Sequence, residues 1–185
     1  YHGWLDNVSW GLTLDEDKMG PRETPIAIPW SEGLGGNANE EFILLPWNDL
    51  DLVKKTMAES HHEVAAIITE AVMCNSGCIL PKEGFLEGLR DLCDEYKTAL
   101  IFDEVITGFR TDLGGAQKHF GVTPDISIFA KALASGYPIS AVVGKKVWMD
   151  VIAESKVIHA GTMNSACCLI AAALGTIEVL EEPGT

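Results

Sequence analysis

The run Ala99-Leu100-Ile101-Phe102, closed by Asp103-Glu104, is too short for a helix and too apolar for a surface segment. Four apolar residues that stop at a carboxylate read as a strand buried in a sheet, with the acid at its rim. Three further runs share that form: Val64-Ala-Ala-Ile-Ile-Thr69, Ile126-Ser-Ile-Phe129 and Ile139-Ser-Ala-Val-Val143. Between them the period changes. Phe85, Leu86, Leu89, Leu92, Cys93 and Tyr96 recur at helical spacing after Pro81, so one apolar face forms there. Val147-Trp148-Met149 with Val151-Ile152 predicts another helix, and a last one spans about Asn164 to Glu182. Pro46-Trp47-Asn48-Asp49 predicts a turn and cap leading into a helix through Leu50, Leu52, Val53 and Met57. Strands alternating with helices predict an α/β fold, a mostly parallel sheet with helices on both faces. Residues 1–40, rich in Gly, Pro, Asn and acids, read as loops around short elements.

Ligands of such sheets bind beyond the carboxyl ends of the strands. Glu70, Asp103 and Lys131 each follow a predicted strand and so share one rim. Lys131 lies in Phe129-Ala-Lys-Ala-Leu-Ala-Ser-Gly136, where apolar and small neighbours are expected to desolvate it. Desolvation favours the neutral amine, which is the nucleophile. Taken singly, neither residue outweighs its ordinary explanation. Asp103 alone is a helix cap or salt bridge, and Lys131 alone is a surface lysine with a buried stem. Together they suit pyridoxal phosphate (PLP), which needs an amine to bond its aldehyde carbon and an acid to keep its pyridine nitrogen protonated.

Composition narrows the partners. There are 13 Lys+Arg against 27 Asp+Glu, a net charge of −14, which disfavours nucleic acid and anionic membranes. No apolar run has bilayer length and no signal peptide is evident, so a cytoplasmic setting is expected. The five cysteines, Cys74, Cys78, Cys93, Cys167 and Cys168, are odd in number and irregular in spacing. Cys74 and Cys78 resemble half of a metal site, but no second pair follows, and structural thiols are the expectation. Gly33-Leu34-Gly35-Gly36 is the only glycine-rich hint of a nucleotide site, and it lies in a loop rather than between strand and helix.

Longer motifs carry a resemblance. Ile101-Phe-Asp-Glu-Val-Ile-Thr-Gly-Phe-Arg110, Gly121-Val-Thr-Pro-Asp125 before Lys131, Gly136-Tyr-Pro-Ile139 and Ala160-Gly-Thr162 follow the order and spacing of the class III aminotransferases, over roughly Tyr1 to Gly184. That resemblance implies the large cofactor-binding domain of fold type I, PLP as cofactor, and transamination through a lysine aldimine. Lys131 matches the Schiff-base lysine and Asp103 the ring-nitrogen partner. Val105 matches the apolar residue on one ring face and Tyr1 the aromatic on the other. Thr162 matches a phosphate-binding hydroxyl reaching the neighbouring subunit of a homodimer, close before the last helix. Glu70 matches a family acid near the cofactor. Outside the motifs, Val105 reads as core, Tyr1 as a loose chain end, Thr162 as a helix cap and Glu70 as a strand-end charge.

Asn75, in Glu70-Ala-Val-Met-Cys-Asn-Ser-Gly77, resembles the branch of glutamate-1-semialdehyde aminomutase, as do Phe85–Arg90 and Leu113–Gln117. Ala71 in place of the usual proline, and Ala134-Ser-Gly-Tyr137 in place of a glycine-rich stretch, depart from that enzyme. They fit an aminomutase-like aminotransferase using a small amino donor and a carbonyl acceptor. Intramolecular aminomutase chemistry is the alternative, and an inactive PLP-fold binding module is a more distant one. The opening Tyr1-His2-Gly3-Trp4 and the closing Glu181-Glu-Pro-Gly-Thr185 suggest a partial domain over 1–185, without the family's N-terminal phosphate loop or C-terminal small domain. Such a chain by itself is expected to hold PLP weakly.

Overall fold

The structure is a computed structural model that describes residues 1–12, 15–35 and 37–184. The chain packs as two compact units, Tyr1–His61 and His62–Thr185.

In the first unit, 3₁₀ turns at Asp6–Val8, Glu16–Lys18 and Ala38–Glu41 precede helix α1, Leu50–Ser60. Asp49 caps it as expected, its carboxylate accepting the Leu52 N–H at 3.1 Å. Val53 and Met57, one turn apart, are its buried face. An isolated antiparallel bridge joins Trp10 to Pro29. Gly33 to Gly35 run through a turn and loop, as expected, and Gly36 lies outside the described residues.

The second unit holds one sheet of four strands in the order β1-β2-β3-β4: Ala66–Glu70, Ala99–Asp103, Ile126–Phe129 and Ala141–Gly144. The first three are parallel, with Glu70 beside Asp103 and Asp103 beside Ile128 in register. Helix α2, Phe85–Tyr96, packs its apolar face on β1 and β2. Its Leu86 and Leu89 are about as buried as Leu100 and Phe102 of β2. Completely burying residues of this size stabilises by roughly 1.5–3 kcal/mol each.

Successive strand residues point to opposite faces. Leu100, Phe102, Thr69 and Ser127 fill the buried face. On the other, Ile101, Ile126 and Ile128 are only partly covered, and Ile68 and Val142 are exposed. Helices on both faces were expected; within the described residues this second face keeps an open apolar row.

Two details add to the sequence reading of a mostly parallel sheet with helices. β4 runs antiparallel to β3. A parallel return needs a crossover of about a dozen or more residues, usually a helix. Residues 130–140 spend their length on a 3₁₀ turn at Lys131–Ala134 and a loop, so the chain simply reverses. The last helix, α5, is Cys167–Leu180 rather than about Asn164 to Glu182. Ser165 sits at φ 59°, in the left-handed region, and a turn from Gly161 to Asn164 precedes it, so helical backbone cannot begin earlier. Helices α3, Gly115–Phe120, and α4, Lys146–Ala153, complete the unit.

Candidate active site

The carboxyl ends of β1, β2 and β3 carry the residues singled out above. Asp103 ends β2 at 6% exposure, and its Oδ1 accepts the Val105 N–H at 3.0 Å. That bond folds the chain back over its own strand end, which keeps the carboxylate at the rim. Glu70 ends β1 at 7% exposure, and its Oε2 accepts the Cys74 N–H at 3.2 Å. Two buried carboxylates therefore sit side by side on neighbouring strands. Lys131 follows β3 by two residues and opens the 3₁₀ turn.

Lys131 differs from expectation in its surroundings. Its side chain is exposed, because the turn directs the buried side inward at Leu133 and Ala134 instead. Those two pack with Ala173 of α5, flanked by Phe109, Phe129, Ile139 and Ile177. The apolar neighbours that were to desolvate the lysine thus anchor its turn to α5. The backbone at Lys131 is itself unusual, with φ at 43° after the extended Ala130. Beside it a cleft of about 540 Å³ is lined by Phe109, Arg110, Lys131, Ser135, Thr176 and Leu180. Asp103 does not line that cleft.

The other expected residues are placed as follows. Val105 is half-buried in the turn after Asp103. Asn75 lies exposed in a 3₁₀ turn, Cys74–Ser76, next to Glu70's partner Cys74. Thr162 is exposed in the turn before α5, close to that helix start as anticipated. Tyr1 belongs to the first unit and is ordered by neighbours: its ring meets Trp30 edge-on at 5.3 Å and Trp4 at 5.9 Å, while those two indoles stack at 4.8 Å. The structure therefore brings Glu70, Asp103, Val105, Asn75 and Lys131 to one edge of one sheet.

Two buried acids, Glu104 at this edge and Asp125 at the opposite one, were given no role in the sequence reading. Glu104, fully buried, accepts from Thr107 Oγ1 at 2.9 Å, the Ala116 N–H at 2.6 Å, the Gln117 N–H at 3.0 Å and Gln117 Nε2 at 3.2 Å. It holds the start of α3 against the strand end. Asp125 accepts the Leu100 N–H at 2.8 Å, Arg90 Nη1 at 2.8 Å and Lys145 Nζ at 2.7 Å. Burial alone would raise its pKa, but these partners together lower it to about 2. It ties β2, α2 and the chain after β4 at the sheet edge opposite the lysine. A carboxylate next to a buried strand, followed by glycines and a short helical run, was the available signal for Glu104.

Residues 36–185 match the family described as Aminotransferase class-III. The chain belongs to the class III aminotransferase family. It is 46% identical over 183 residues to a glutamate-1-semialdehyde 2,1-aminomutase of Methanocaldococcus jannaschii, a match covering 98% of this chain and 41% of that protein. This class III chain therefore spans well under half the length of that relative. A crystal structure of an omega-transaminase from Sphaerobacter thermophilus superposes with TM-score 0.85 and 30% identity, over 97% of this chain and 42% of the other. A transaminase with PLP bound matches at TM-score 0.85 and 25% identity, over 99% of this chain and 42% of the other. The mostly parallel sheet and its flanking helices are thus those of PLP fold type I transaminases.

Proposed function

We propose that this chain is part of the cofactor-binding large domain of a PLP-dependent transaminase, with Lys131 as its reactive amine and Asp103 as the partner of the pyridine nitrogen. The observation that carries this reading is the placement of an amine and a buried carboxylate at the carboxyl ends of adjacent parallel strands. The donor set suits the group. No cluster of His, Cys, Asp and Glu fit for a metal occurs among the described residues, and an amine and an acid are the two groups that an aldehyde-bearing pyridine needs.

When bound, PLP supplies an electron-withdrawing ring that stabilises negative charge at the substrate's reacting carbon. Asp103, its carboxylate positioned by the Val105 N–H, would hold a proton at the ring nitrogen. Lys131 Nζ would be the amine that holds the cofactor's aldehyde end. As a general acid and base, the same amine would move the proton at the substrate's reacting carbon. By the family resemblance, Val105 and Tyr1 would be the ring-packing residues. Glu70 and Asn75 would border the ring, and Thr162 would bind the phosphate of the neighbouring subunit's cofactor in a cytoplasmic homodimer.

A second reading, intramolecular aminomutase, is favoured by the 46% identity to such an enzyme and by Asn75. An amino donor offered with an unlinked keto acid separates the two, because only the transaminase converts that pair. For the site itself, the full-length protein loaded with PLP is reduced with borohydride and its peptides mapped. Label on Lys131 is expected; label on any other lysine overturns the assignment.

A further inference from the structure

The turn after Glu70 holds two thiols that the proposed reaction leaves unused. Met73 and Ile79 form an isolated antiparallel bridge with hydrogen bonds in both directions, Met73 N–H to Ile79 O at 3.0 Å and Ile79 N–H to Met73 O at 3.3 Å. In such a doubly bonded pair the Cα atoms lie about 5.5 Å apart. Cys74 and Cys78 are the next residues inward from that bridge, so the hairpin sets them across from one another. Gly77 and Cys78 take left-handed backbone, φ 100° and 54°, which turns the returning arm back toward Cys74. The Cys78 thiol reaches the Cys74 carbonyl oxygen at 3.8 Å, so it lies against the Cys74 residue. A disulfide needs Cα atoms roughly 4.4–6.8 Å apart, the range expected of the pair one step inward from such a bridge.

We infer that Cys74 and Cys78 form a reversible dithiol–disulfide pair whose oxidant is a small-molecule disulfide. The two thiols differ in access. Cys78 is exposed and Cys74 is half-buried. Burial first, and then the neighbouring Cys78 and Glu70, push the Cys74 thiol up, with Lys131 opposing them. Cys78 therefore attacks first. Its thiolate bonds one sulfur of the external disulfide and expels the other as a thiolate. The Cys74 thiolate then attacks the Cys78 sulfur, forming the internal bond and expelling the second small thiolate. Two protein thiols are oxidised, one external disulfide is reduced to two thiols, and the two protein protons pass to those leaving groups. The closed bond pins the turn whose Cys74 N–H holds Glu70 and which presents Asn75, so the redox state of the medium bears on one wall of the strand-end site.

The test uses the full-length protein equilibrated across glutathione buffers from fully reduced to fully oxidised, acid-quenched, alkylated and digested with trypsin. Residues 56–82 carry only Cys74 and Cys78, so one peptide reports both. At the oxidised end it is expected to lose both alkylatable thiols together and to be lighter by two hydrogens, and Cys78→Ser is expected to abolish that species. Two thiols still alkylated in fully oxidised buffer overturn the inference. So does glutathione retained on either cysteine without an internal bond, or a crosslink from this peptide to Cys93, Cys167 or Cys168. The readout does not depend on PLP, so it stands or falls apart from the amine assignment.

Discussion

Asp125 shows how a single buried acid couples to pH. Its folded pKa of about 2 lies below the ordinary 3.8, because the Leu100 N–H, Lys145 and Arg90 outweigh the cost of burial. A depressed folded pKa adds stability that is complete above the unfolded value and is lost as pH falls through the folded one. The window is therefore from about pH 4 down to about pH 2. Asp125→Asn is expected to cost roughly 2 kcal/mol near neutrality and to flatten the acid limb in that window. Urea titrations at several pH values would show it, and an unchanged acid limb in the variant would count against the assignment. Residues differ in how much of this is legible beforehand. Asp103 and Lys131 stand out because each ends an apolar run. Asp125 and Glu104 do not, because their meaning lies in partners 12 to 35 positions away, such as Ala116 for Glu104 and Arg90 for Asp125. No local pattern encodes those distances.

Among the elements, the three parallel strands and the long helices α1 and α2 were readable because burial imposes a clean period on them. Helix α3 was not, since six residues offer less than two turns of pattern. Its start depends on contact rather than propensity. Gly115 takes φ 75°, and a Cβ there would stand 2.6 Å from Glu104 Oε2. Gly115→Ala thus adds both a left-handed penalty and a clash with the carboxylate that accepts the helix's first amides. Glu104→Gln replaces one acceptor oxygen with a donor that faces N–H groups. Each is expected to cost about 2 kcal/mol in urea unfolding. The pair should cost less than the sum, because both changes damage the same cradle. Additive losses would show that glycine and acid act separately. The reversal into β4 is the complementary case. Its apolar run was plain, but direction depends on the length and use of residues 130–140, which composition does not reveal.

At the scale of the molecule, the net charge of −14 set limits on partners but had no bearing on topology, as expected for a global quantity. Among the described residues no helix is long and apolar enough to cross a membrane. The half-open row of Ile101, Ile126 and Ile128 between Ile68 and Val142 was invisible in advance, because a buried period states that a face is apolar and not what lies over it. The left-handed backbone at Lys131 has an evolutionary side. An L-residue there costs roughly 1 kcal/mol that glycine avoids. In the absence of cofactor, Lys131→Gly should therefore be more stable than Lys131→Ala by about that amount in thermal unfolding. Equal stabilities would mean that the turn relaxes freely. Foldability alone would favour a glycine at this position; under the proposed reading, the amine held there against the preference of its own backbone trades local robustness for reactivity.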